Sequence, residues 1–139
     1  MALTSLEINT RQPLAAGHAF GDVGPDLQLD GTAHFEVDPD HPQNQGITDL
    51  ALAPRDGDGL VHFSADIGIL APEDPRRGNR RLLFDVPNRG NRLALRMLNC
   101  APPQPVPSAP LDTGDRFLMR HGYTWCGAAR SMTSRRSTG

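Results

Sequence analysis

The sequence contains no lysine, so all 14 of its basic side chains are arginine. That uniformity points to GC-rich coding DNA more readily than to fourteen separate guanidinium functions, and no single arginine is read as functional from its type alone. Cysteine is nearly absent as well. Cys100 and Cys126 match no redox or zinc spacing, and two thiols cannot fill a four-ligand site, so free thiols are expected and no metal or cofactor is implied. No run approaches the roughly 18 apolar residues of a membrane span. Met1–Thr10 has neither a basic nor an apolar leader segment, which leads to the expectation of a soluble, cytoplasmic product. A net charge of −2 gives no reason to expect nucleic acid or another polyanion as partner. Three catalytic or nucleotide signatures are also missing: G-x-S-x-G, G-x-x-x-x-G-K-[ST] and G-x-G-x-x-G.

What is present centres on Arg80–Asn91. The apolar run Leu82, Leu83, Phe84 and Val86 stops at Pro87 and gives way to Asn88-Arg89-Gly90-Asn91, which reads as a strand buried on both faces running into a loop. Proline ends a central strand for want of an N–H, and Asn and Gly tolerate the backbone angles of a loop whose amides face a ligand. The same residues also suit a plain connecting turn.

At 139 residues the chain suits one domain or part of one. Ser5–Thr10 alternates like a half-exposed strand, and residues 11–26 form a Gly/Pro-rich loop that carries His18 and Asp22. Thr32–Val37 has a period of two. Asp49–Ala53 reads as a short strand with Leu50 and Leu52 inward, and Arg55-Asp56-Gly57-Asp58-Gly59 as a hairpin turn. The returning strand then places Val61, Phe63, Ala65, Ile67 and Ile69 on one core-facing side.

After Leu82–Val86, the residues Leu93, Leu95, Met97 and Leu98 suit two helical turns, and Cys100–Pro110, with five prolines, an extended surface loop. Asp112 or Thr113 can cap a helix near Asp115 that Gly122 ends, and Tyr123–Cys126 begins a further strand. Strand, loop, helix, strand over residues 82–126 is a βαβ unit with parallel strands. The expected class is therefore α/β and β-rich, one domain over 1–126 in which an antiparallel meander feeds a first, incomplete βαβ unit. Residues 127–139, rich in Arg and Ser, read as a disordered tail.

Several polar groupings invite chemistry. His34 with Glu36, and His62 with Asp66, suit a metal ion or simply the wet face of two strands. Asp56 and Asp58 belong to the hairpin more readily than to a calcium loop. Arg130, Arg135 and Arg136 suit phosphates or a solvated tail. His18 and His121 can each act as a base, but Ser64 in mid-strand is no activated nucleophile.

Four strings in order resemble the N-terminal part of a family of large bacterial α/β-hydrolase-domain proteins: Gly17–Gly24, Leu29–Ala33, Leu83–Asn91 and Phe117–Tyr123. The likeness covers roughly residues 5–126. It implies the α/β-hydrolase fold, a serine-type hydrolysis of an ester-like small-molecule substrate in the intact protein, and an oxyanion-hole amide from the backbone around Asn88, Arg89 and Gly90. The family pattern is lost after Cys126-Gly127, before any nucleophile elbow, which suggests a truncated or frameshifted product with no catalytic residue and no activity alone. The alternative is a self-contained β-rich module that binds a ligand through Asn88–Asn91 and the His18 loop without catalysis.

Overall fold

The computed structural model describes residues 1–86, 92–104 and 110–130, with 129 and 130 described by backbone alone. Three long strands, β1 (Ala2–Pro13), β2 (Asp26–Val37) and β3 (Val61–Pro72), form an antiparallel meander. Residues 11–13, expected in a loop, complete β1, and β2 starts six residues before Thr32, because the alternation of Asp26-Leu27-Gln28-Leu29-Asp30 continues the period of two. Irregular register at Leu3/Ser5 and Ile8/Thr10 bends β1 along β2. Gly31 permits the close approach, since a Cβ there would run into the Glu7 carbonyl.

The meander has two unlike faces. Register places Leu3, Leu6 and Ile8 of β1 beside Phe35, Ala33 and Gly31 of β2, and these beside Phe63, Ala65 and Ile67 of β3. Phe35 and Phe63 stack with ring centroids 5.0 Å apart. The side predicted to cover the core is this one, and Ala33, Val37, Val61 and Ile67 on it are buried, yet Leu3, Leu6, Ile8 and Phe63 are exposed. The principal core forms on the opposite side. There Leu70 of β3 and Trp125 sit directly across from each other and pack with Leu14, Phe20, Leu95, Ala101, Leu111, Leu118 and Met119.

Asp49–Ala53 is not a strand. Leu50–Leu52 forms a 3₁₀ turn with Leu52 82% exposed, and β3 pairs with β2 instead. The Asp-Gly turn does form: the Asp56 N–H donates to the Leu60 carbonyl at 2.9 Å, and Gly59 has φ +80°. It lies inside a long β2–β3 connection, where it tightens the approach to Val61.

The chain then makes the expected crossover. Strand β4 (Leu82–Asp85) leads to α1 (Leu93–Leu98), and α2 (Phe117–Arg120) leads to β5 (Thr124–Arg130), which is parallel to β4 and antiparallel to β3. The sheet is thus mixed and five-stranded, in the order β1-β2-β3-β5-β4. The whole is β-rich with little helix.

That order corrects two expectations. β4 is an edge strand rather than one buried on both faces: Leu83 packs against the core and Asp85 is buried, while Leu82, Phe84 and Val86 are 63%, 58% and 75% exposed. Its apolar residues alternate to both sides, as in a buried strand, but neither its outer rim nor its second face has cover among the described residues. β5 also runs on to Arg130, past Gly127, because Ala65–Ile69 of β3 offers it a continuous ladder. Residues 131–139 lie outside the described residues.

Crossover packing is tight where the sequence read as open loop. Ala101 and Gln104 are buried within the stretch expected to be an extended surface segment. Gln104 takes the Asp112 N–H at 2.6 Å and returns its amide to the Asp112 carbonyl at 2.8 Å, so a proline-rich excursion is clasped at its base. Helix α2 is capped by neither proposed residue. Asp115 accepts the Phe117 N–H at 3.0 Å, and Gly122 at φ +66° ends the turn.

Candidate functional site

The loop singled out from the sequence leaves the C-terminal end of a parallel strand, the end at which open α/β sheets bind ligands. Asn88, Arg89 and Gly90 themselves lie outside the described residues. Their two stems are described, and both are fixed. Asp85 accepts the Ala94 N–H at 2.9 Å across nine residues, closing the loop at its base. Arg92 donates its own N–H to the Gln104 carbonyl at 2.9 Å and turns its side chain beneath the sheet.

Arg92 is the largest polar side chain in the core, 1% exposed. Its Nη2 donates to Asp30 Oδ1 at 3.1 Å, and its guanidinium carbon lies 5.3 Å from the centre of the Trp125 ring. Asp30 receives a second charge-assisted bond from Gln28 Nε2 at 2.5 Å. Burial pulls the Arg92 pKa down and Asp30 pushes it back up. Gly68 makes the space: a Cβ there would lie 3.1 Å from Arg92 Nη2 and 3.3 Å from Asp30 Oδ1. Sequence reasoning passed over Arg92 and Asp30. Their signal was the polar, even-numbered set Asp26, Gln28 and Asp30, which lies on the face of β2 turned toward the core.

Asp26 completes that set differently. It is 1% exposed, and neither carboxylate oxygen has a hydrogen-bond partner among the described residues. Desolvation raises its pKa to about 7. A second buried hub is Asn99, whose Oδ1 accepts the Leu118 N–H at 2.9 Å while its Nδ2 donates to the Thr113 carbonyl at 3.1 Å, tying the end of α1 to α2.

At the other end of the sheet, where β2 and β5 begin, His18 stands at the edge of a surface cleft of about 290 Å3, lined also by Phe20, Gly21, Gly114, Asp115, Arg116 and Arg120. His18 Nε2 is 3.1 Å from Arg116 Nη1 and the ring meets Phe20 edge-on at 5.3 Å. His18 therefore stands at the opposite end of the strands from Asp85, the last residue of β4.

The remaining candidates are dispersed. Register puts Glu36 opposite His62 and His34 opposite Ser64, on one face. His62 Nε2 instead pairs with Asp56 Oδ2 at 2.6 Å, and this bond is the main reason the Asp56 carboxyl lies below its usual range. His34 has Glu7 as its carboxylate neighbour, at 3.7 Å. Among the described residues no three His, Cys, Asp or Glu side chains gather as a metal site. His121 packs on Phe117 at 4.5 Å, and Ser64 lies in the middle of β3. Cys100 and Cys126 are both free thiols, the latter with its pKa raised by burial. Arg130 is described by backbone only, and Arg135 and Arg136 lie outside the described residues. No described helix is long and apolar enough to cross a membrane.

Compared with known proteins, the chain matches no family model, no curated protein and no solved structure. The hydrolase likeness therefore rests on the strings quoted from the sequence.

Proposed function

We propose that this chain forms the opening half of an α/β-hydrolase-type domain, whose intact form cleaves an ester or related acyl bond of a small molecule with a serine nucleophile. In that reading the loop after β4 presents a backbone N–H from Asn88, Arg89 or Gly90 to the developing oxyanion. A donor so placed is worth about 3–4 kcal/mol beside a nucleophile and nothing without one. The chain alone is accordingly inactive.

The observation that carries the reading is the order β3-β5-β4 with β4 parallel to β5. A parallel crossover normally lies inside a sheet covered on both faces. Here its outermost strand offers bare Leu82, Phe84 and Val86 beside a loop whose stems are pinned by Asp85 and Arg92. Both features suit a sheet that continues past β4.

The coding locus, read in all three forward frames beyond this chain, is expected to encode a G-x-S-x-G within about a kilobase, and its absence would overturn the reading. Purified chain is expected to show no hydrolysis of p-nitrophenyl acetate above a mock preparation. Turnover that co-purifies through two orthogonal columns would refute the inactive half-domain. The cleft at His18 favours a second reading, a β-rich binding module, which predicts a soluble monomer with one cooperative thermal transition.

A further inference from the structure

We propose that the cleft between the His18–Gly21 turn and the start of α2 is a binding site for the carboxylate group of a small organic acid. It is independent of the hydrolase reading, since it lies at the opposite end of the strands from the C-terminal end of β4.

Three observations converge on it. The first is charge without compensation. Arg116 and Arg120 both line the cleft, and neither forms an ion pair with a carboxylate among the described residues, whereas Arg55, Arg76 and Arg92 each do. The acidic group in the lining, Asp115, spends one oxygen on the Phe117 N–H at 3.0 Å. With two guanidinium groups and one carboxylate, the cleft carries a net charge of +1 when His18 is neutral, which matches a monoanion better than a dianion.

The second is the contact with His18. A guanidinium has only donors, so in the 3.1 Å contact with Arg116 Nη1 it is His18 Nε2 that accepts. The imidazole thus orients Arg116 without neutralising it, and leaves the other donors of the planar fork for a bidentate partner. Phe20, packed edge-on against His18 and 1% exposed, fixes the ring from behind.

The third is the backbone that presents the arginine. Arg116 lies at φ +66°, ψ +22°, a left-handed conformation that costs a branched or long side chain and that glycine or asparagine would adopt more easily. It follows Gly114, also left-handed at φ +55° and wedged against the Asn99 carbonyl. The conformation points the guanidinium across to His18, 98 residues away in sequence. The cleft, about 290 Å3 and open to solvent, accommodates a small acid.

The test is a heteronuclear NMR titration of the full chain with sodium acetate at pH 7.5, with ionic strength held constant by chloride. Saturable shifts of the His18 ring and of the Gly21 and Gly114 amides are expected, with no matching response to chloride alone. Arg116→Asn, which suits the left-handed backbone, and the surface change Arg120→Gln are each expected to weaken binding at least ten-fold while leaving the Trp125 resonances in place. Shifts that stay linear in acetate, or an affinity unchanged from wild type in both variants, would overturn the site. Inorganic phosphate binding more tightly than acetate would overturn the assignment to a monoanionic carboxylate. Should Arg116→Asn disturb the fold, Arg120→Gln alone decides the matter.

Discussion

Arg92 and Asp30, 62 residues apart in the sequence, meet inside the molecule at 3.1 Å, and their contact ties the stem of the 87–91 loop to the middle strand of the meander. The guanidinium is fully enclosed, and Trp125 on β5 covers it. One ion pair therefore links β2, β5 and the crossover.

Breaking that pair from one side leaves a charge stranded in the core. Asp30→Ala is expected to lower the unfolding free energy by about 3–5 kcal/mol, whereas Asp30→Leu combined with Arg92→Met is expected to lose clearly less than either single change. Urea unfolding followed by Trp125 fluorescence measures both. A double variant whose loss equals the sum of the losses from Asp30→Leu and Arg92→Met alone would show that the pair makes no coupled contribution.

The same pair explains what could be read from the residues alone. Strand periods and the parallel crossover were legible, because alternation in Thr32–Val37 and Val61–Leu70 and the connection length before Tyr123 are local properties. Which face is inside was not. On β3 the large odd-numbered residues Phe63, Ile67 and Ile69 outweigh the even ones. Yet the core is built against Leu70, because the crossover helices are on that side and bring Leu95, Leu118 and Met119 with them. The polar even-numbered residues of β2 then lie inward, where Arg92 meets Asp30, a contact that depends on tertiary placement. Leu82–Val86 misled for a related reason: an apolar run records what a strand could bury, not whether a neighbour exists to bury it. Asn88–Asn91 lie outside the described residues, and what the structure adds there is the fixing of the two flanking stems by Asp85 and Arg92.

Glycine positions offer a sharp contrast. A Cβ on Gly114 would collide with the Asn99 carbonyl, itself the acceptor of the Asp115 N–H at 2.6 Å, so Gly114→Ala must displace the joint between α1 and α2. Gly21 has the same kind of backbone, φ +61°, with open space around it. Gly21→Ala is expected to cost about 1–2 kcal/mol from conformation alone, and Gly114→Ala more than about 3 kcal/mol. Parallel urea melts of the two variants check the order, and the reverse ranking would contradict the packing described.

Leu82, Phe84 and Val86 leave an apolar rim on an edge strand with unpaired backbone groups, a template for association. Purified chain is expected to self-associate with rising concentration, as read by size-exclusion chromatography with light scattering. Leu82→Lys with Phe84→Glu should shift it toward monomer while changing stability by no more than about 0.5 kcal/mol per site. A wild-type chain that stays monomeric at high concentration would contradict the expectation and weigh against a sheet that continues past β4.

Asp26 makes stability depend on pH in a direction opposite to most carboxylates. Burial raises its pKa from 3.8 to about 7, so the folded state holds a proton that the unfolded state releases. Below about pH 4 both states are protonated, and the group contributes no difference. As pH rises from about 4 to about 7 the unfolded chain alone ionises, and stability falls. Above about 7 the loss levels off at roughly 4 kcal/mol, the shift of about three units at 1.36 kcal/mol each. Asp26→Asn removes the ionisation while keeping the shape. It is expected to raise the melting temperature clearly at pH 8 and to leave it almost unchanged near pH 4. Calorimetric scans of the two proteins across that range read the difference directly, and a gain that does not vary with pH would mean that the carboxyl is not buried as the native contacts describe.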